Sequence, residues 1–172
     1  LTLHLFPRVG KIIPPLARYF VHLLVKKQTV GIASIGDFQN AVAAYATRLV
    51  SNTMTGFDYA GIEHLEKDKA YLFVGNHRDI AGDSMLVDYA LHLSGHETVR
   101  IAVGDNLVQK QFATDLMKLN KSFFIKRSEE GAKKIYAALL ASSEFIHESL
   151  RTGNSIWIAQ SEGRAKDGID AT

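Results

Sequence analysis

The chain has 172 residues, of which 47 % are hydrophobic and 22 % charged, and its formal net charge at pH 7 is +2. That suits about one folded domain with a real core and argues against a disordered chain. Lys and Arg are spread among acids with no basic stripe, so no nucleic-acid partner is expected; the absence of cysteine removes disulfides, thiolate ligands and a cysteine nucleophile, and fits a reducing compartment.

In chain order, the first expected element is a helix over Leu16 to Val25. Leu16, Tyr19, Phe20, Leu23 and Leu24 recur at helical spacing after Pro14 and Pro15. Arg18 and His22 interrupt this stretch, and it is too short to cross a bilayer. Flanked by Arg8, Lys11, Lys26 and Lys27, it is expected to lie in a membrane interface; the alternative is that its apolar face packs on the catalytic core or on the C-terminal part of the fold. Phe38, Val42, Tyr45, Leu49 and Val50 mark a second helix, with Asp37 as its N-cap and Gly56 as its stop. Residues 1–56 are therefore read as an N-terminal helical segment, possessing no secretory signal pattern.

From residue 57 onward the pattern alternates. Tyr71 to Val74 reads as a buried strand, and Asp83 to Leu93 as a helix capped by Asp83 or Ser84 and ended by Gly95. Val99 to Val103 is a second strand, followed by a short helix carrying Phe112, Leu116 and Leu119. Phe123 to Ile125 is a third strand. The next helix is expected to be capped by Ser128 and closed by Arg151 and Gly153, with Ile135, Leu139, Ile146 and Leu150 on one face. Ile156 to Ala159 is a fourth strand. Such alternation predicts an α/β fold with a mostly parallel sheet flanked by helices, whose ligands gather at the carboxyl ends of the strands.

Three polar clusters fall at those ends. Asn76-His77-Arg78-Asp79 and Asp83-Ser84 follow the first strand. A His beside a carboxylate is what base catalysis needs, because the carboxylate fixes the imidazole tautomer and stabilises the imidazolium. The plain alternative is a surface His beside a helix-capping Asp. Lys126-Arg127 follow the third strand and can grip a phosphate, or merely pair with Glu129 and Glu130. Glu162-Gly163-Arg164-Ala165-Lys166-Asp167-Gly168 follow the fourth, where glycines allow close approach and the cations supply charge-assisted bonds; a polar turn is the alternative. Together they describe proton abstraction beside a phosphorylated ligand.

Asn76-His77 with Asp83, then Phe124-Ile125-Lys126-Arg127, then Glu162-Gly163-Arg164 resemble, in order and spacing, the motifs of the glycerol-3-phosphate and lysophosphatidate acyltransferases. Gly61-Ile62-Glu63-His64-Leu65 resembles that family's lead-in to the first strand, and Gly104-Asp105-Asn106-Leu107 a segment before its second motif. The resemblance implies that 57–172 is an incomplete acyltransferase domain, the C-terminal part of the fold lying beyond it. It implies His77 as general base and Asp83 as its orienting partner. Arg78, Lys126, Arg127 and Arg164 would hold the acceptor's phosphate, with Glu162 and Gly163 shaping their loop. The implied donor is an acyl thioester (acyl-CoA or acyl carrier protein) and the implied acceptor a phosphorylated glycerolipid. No metal or other cofactor is expected, and the setting is cytoplasmic, peripheral at the inner face of a membrane. Departures exist: five residues rather than four separate His77 from Asp83, leaving Asp79 as a rival, and Arg164 follows Gly163 directly. Two alternatives stand beside this reading. One is a hydrolase using Ser84 or a water, or a metal-dependent phosphoesterase with His77, Asp79 and Asp83 as ligands. The other is a non-catalytic lipid-binding module.

Overall fold

The structure, a computed structural model, describes residues 30–107, 110–161, 163–165 and 167. The expected helix at Leu16 to Val25 lies outside them. The chain divides into two compact units, Leu1–Asp37 and Phe38–Thr172.

In the first unit, the described residues form a turn and the beginning of helix α1 (Ile35–Thr53). The Ser34 amide and hydroxyl donate to Asp37 Oδ2 at 2.9 and 2.8 Å, and the Asp37 amide donates to Ser34 Oγ at 3.1 Å. This is a reciprocal capping box, so Ser34 is the cap and Asp37 its partner inside the first turn, one step from the role expected of it.

In the second unit the elements are β1 (Leu72–Gly75), α2 (Gly82–Leu93), β2 (Arg100–Gly104), α3 (Gln111–Leu119), β3 (Phe123–Ile125), α4 (Ala132–Arg151) and β4 (Ile156–Ala159). All four strands are parallel, in the order β1-β4-β2-β3. The α/β architecture expected from the alternating pattern is therefore present. Right-handed crossovers explain the placement of the helices. The connection from β1 to β2 sends α2 to one face; the return from β3 to β4 runs the opposite way and sends α4 to the other.

On the α2 face, Leu91, Val99, Ile101 and Trp157 are buried together, with Phe73, Val87, Val103 and Ala159 packed against them. A second cluster of Ala46, Val50 and Tyr89, with Phe57, Met85 and Leu86, packs α1 against α2. On the other face, Arg100 Nη1 donates to Ser149 Oγ at 2.7 Å, and the Phe123 and Phe145 rings stand 4.7 Å apart.

That second face corrects the N-terminal half of the expected face of α4. Ile146 and Leu150 are half-buried as expected, but Ile135 and Leu139 are 46 % and 57 % exposed, whereas Ser149 is fully buried. The Arg100 guanidinium emerges from β2 toward α4 and needs a hydrogen-bond partner, so the helix turns Ser149 and Phe145 to the sheet. The helix also starts at Ala132 after Gly131, whose φ of 92° suits glycine, and Ser128 does not cap it.

Candidate active site

After β1 the chain crosses directly over Trp157. A Cβ at Gly75 would lie 3.0 Å from the Trp157 indole nitrogen, so glycine is what lets the loop pass. Two residues on, His77 Nδ1 is 3.1 Å from Asp83 Oδ2, and both side chains are 19 % exposed. The same oxygen accepts from the Arg78 amide at 2.8 Å and the Asp79 amide at 3.0 Å. With a carboxylate as the acceptor, Nδ1 carries the imidazole proton and Nε2 keeps the lone pair a general base needs.

The longer spacing between His77 and Asp83 is taken up by the loop. Asp79 Oδ1 accepts from the Ala81 amide at 3.0 Å and the Gly82 amide at 2.6 Å. Asp79 therefore caps the start of α2, which frees Asp83, in the first helical turn, to face His77. The cap expected at Asp83 or Ser84 is thus formed by Asp79 instead, and Ser84 is buried at 8 % exposure. Gly82 fits because a Cβ there would meet Asp79 Oδ1 at 3.0 Å and its Cβ and Cγ at 3.2 Å. The Gly82 and Ala81 amides hold the Asp79 carboxyl below its ordinary pKa, helped by the positive field of Arg164.

Arg164 reaches the same corner through its backbone. The Ala165 amide donates to the His77 carbonyl at 2.8 Å, tying the loop after β4 to the loop after β1. Gln160 reinforces the tie, donating from its amide to the Gly75 carbonyl at 2.9 Å. Arg164 and Gly163 are exposed, while Glu162, Lys166 and Gly168 lie outside the described residues.

The second cationic loop is built differently. The Arg127 amide donates to Asp105 Oδ1 at 3.0 Å, and the Ser128 hydroxyl to Asp105 Oδ2 at 2.8 Å. These bonds, the Arg127 amide foremost, hold the Asp105 carboxyl below its ordinary pKa. The Arg127 side chain then lies across Gly104 at the end of β2: a Cβ there would sit 3.2 Å from its Cδ and 3.3 Å from its Nε. Lys126 Nζ pairs with Glu129 Oε1 at 3.6 Å on the exposed surface.

Along the carboxyl edge the order is therefore His77 with Asp83 after β1, Arg164 after β4, Arg127 over the end of β2, and Lys126 after β3. Two strand spacings, about 10 Å, separate β1 from β2. His77, Asp83, Asp79 and Arg164 share one corner; Arg127 and Lys126 stand further along the edge. Arg78 contributes its amide to Asp83. Nothing in the residue types of Gly104 and Asp105 marks their hold on Arg127; their place just before the second motif is the sequence signal for it. Among the described residues, no three His, Asp or Glu side chains gather as a metal-ligand set.

The acyltransferase family model matches residues 56–168, a span holding all four strands and the three polar loops. By class, then, this α/β protein is an acyltransferase. The match covers well over half of the chain, which belongs to the glycerolipid acyltransferase family, that of the 1-acyl-glycerol-3-phosphate acyltransferases. No curated protein matches the chain significantly. Among the described residues, no helix is long and apolar enough to cross a membrane.

Proposed function

We propose that the protein moves a fatty acyl group from an acyl thioester, acyl-CoA or acyl-carrier protein, to the hydroxyl of a phosphorylated glycerol acceptor, with lysophosphatidate favoured, in phospholipid synthesis. The observation that supports this most is the His77–Asp83 contact at 3.1 Å beside the Arg164 loop. His77 Nε2 takes the proton of the acceptor hydroxyl as its oxygen attacks the thioester carbonyl carbon. Asp83 holds the ring and offsets the positive charge that develops on it. The tetrahedral adduct collapses, the carbon–sulfur bond breaks, and the thiolate takes the proton back from the imidazolium. An ester and a free thiol result, with no acyl-enzyme and no cofactor beyond the thioester substrate.

Arg127 and Arg164 bind the acceptor's phosphate, and Lys126 and Arg78 add positive potential. Gly163 leaves open space beside Arg164, since nothing lies within 4 Å of a Cβ placed there, and Glu162 completes that loop. Peripheral binding at the inner face of a membrane fits an enzyme whose substrate and product are lipids. A hydrolase with Ser84 as nucleophile has less support, because that hydroxyl is buried in the first turns of α2. The test is incubation of the protein with labelled acyl thioesters and a panel of acceptors. Thioester-dependent formation of phosphatidate from lysophosphatidate is expected; release of free fatty acid with no acylated acceptor would overturn the proposal.

A further inference from the structure

A groove between β3 and α4 shares only Lys126 with the chemistry above. Its volume is about 650 Å³, within the range of roughly 300–1,000 Å³ usual for small-molecule sites. Phe123 and Phe124 form one wall, and Ala137, Ala138 and Ala141 the other. The alanines recur on one side of α4 and leave empty the space that larger side chains would fill against β3. Phe145, paired with Phe123, stands at the far end. Because β3 runs toward the carboxyl edge of the sheet and α4 runs back from it, Lys126 and Lys134 mark the end nearest the active site.

Glu129, paired with Lys126 at 3.6 Å, shares that mouth, and Ser142 interrupts the apolar lining, so Lys134 leaves the mouth with a net positive charge. A mostly apolar trough with a net cationic mouth complements a single hydrocarbon chain carrying an anionic head group. We propose that this groove holds the existing acyl chain of the acceptor, a single-tailed anionic glycerolipid whose phosphate sits at Arg127 and Arg164, with Lys126 and Lys134 on the groove side. The assignment to the acceptor rests on the acyl-transfer reading. The donor's carbonyl and the acceptor's hydroxyl meet beside His77 at β1, three strand spacings from β3. The acceptor alone also reaches Arg127 over the end of β2, through its phosphate, and so approaches the groove's mouth. A tail-less acceptor such as glycerol-3-phosphate would leave the groove unused.

Calorimetric binding of lysophosphatidates of increasing tail length, and of glycerol-3-phosphate, to the full chain tests this with lipid kept below its micelle concentration. Each added methylene tightens binding by about 4-fold until the groove is full. Ala141→Phe and Ala137→Phe, two independent fillings, weaken long-tailed binding by about 10-fold or more, the worth of roughly two methylenes, and leave glycerol-3-phosphate binding unchanged. A photoreactive group at the end of the lysophosphatidate tail labels the peptide containing Phe145. Affinity independent of tail length, or both fillings without effect, overturns the proposal. So does labelling of that peptide by the donor's acyl chain instead, or burial of this α4 face in a dimer seen by light scattering. Acyl transfer that persists without tail-dependent binding removes the groove alone; tail-dependent binding without transfer removes the enzymatic reading alone.

Discussion

Replacing Asp83 by Asn keeps the side chain's size and removes its charge. Three donors converge on Oδ2: the His77 ring at 3.1 Å and the Arg78 and Asp79 amides at 2.8 and 3.0 Å. An amide oxygen can take the same place, so the bonds survive in neutral form and the loop stays folded, at a cost of about 1–2 kcal/mol. The loss falls on catalysis. An imidazolium about 4 Å from a carboxylate gains about 4 kcal/mol at an effective dielectric of 20, and losing it lowers kcat by about a thousandfold. Thiol release at saturating thioester and acceptor measures this, with urea unfolding as the check on the fold. Asp79→Asn is the control, because Asp79 serves the α2 amides. It costs about 1 kcal/mol of stability and leaves kcat within a few-fold of the parent. If folded Asp83→Asn retained more than a tenth of the parent kcat, or if Asp79→Asn were the more damaging change, the assignment of roles in this loop would be wrong.

Arg164→Ala and Arg127→Ala each remove a charge-assisted phosphate contact of about 1.5–3 kcal/mol, so each raises the acceptor's KM by about 10- to 100-fold; steady-state kinetics should show the thioester's KM unchanged. Gly104→Ala places a methyl group 2.5 Å from Asn106 Oδ1 and 3.2 Å from Arg127 Cδ. The crowding costs about 1–3 kcal/mol in urea titrations and raises the acceptor's KM by displacing Arg127. Asp88 gives a prediction about pH. Burial raises its carboxyl to about 6, against the bond from the Val99 amide and the field of Lys121. Between about pH 4 and pH 6 the folded protein holds a proton that the unfolded chain releases, so this group's contribution, about 3 kcal/mol, is present at the acid end and lost as pH rises through 6. Asp88→Asn, compared with the parent by urea unfolding at both ends of that range, should flatten that slope; an unchanged slope would show that Asp88 titrates normally.

Much of the fold is legible in the sequence because its strands are short apolar runs with polar loops at their carboxyl ends. Phe123–Ile125 and Ile156–Ala159 stand where those runs place them. The strand order is not legible in that way. Nothing local in Ile156–Ala159 says that β4 returns to lie between β1 and β2; crossover handedness and the packing of Trp157 beside Phe73 and Ile101 decide it. The orientation of α4 escaped for a related reason, since its apolar residues exceed one face and the partner that selects the face, Arg100, is polar and distant in sequence. In the site, residue types and order are readable, but the division of labour between Asp79 and Asp83 is not. It depends on α2 starting at Gly82, which sets which carboxylate meets the helix amides and which meets His77. Likewise, the hold of Asp105 on the Arg127 loop requires β2 and β3 to be neighbours.

The most direct test of the account is His77→Ala, assayed for ester formation from acyl thioester and lysophosphatidate alongside calorimetric binding of the same acceptor. Loss of the general base predicts a fall in turnover of at least about a hundredfold with acceptor affinity nearly unchanged. Turnover close to that of the parent would contradict the assignment of His77 as the group that activates the hydroxyl.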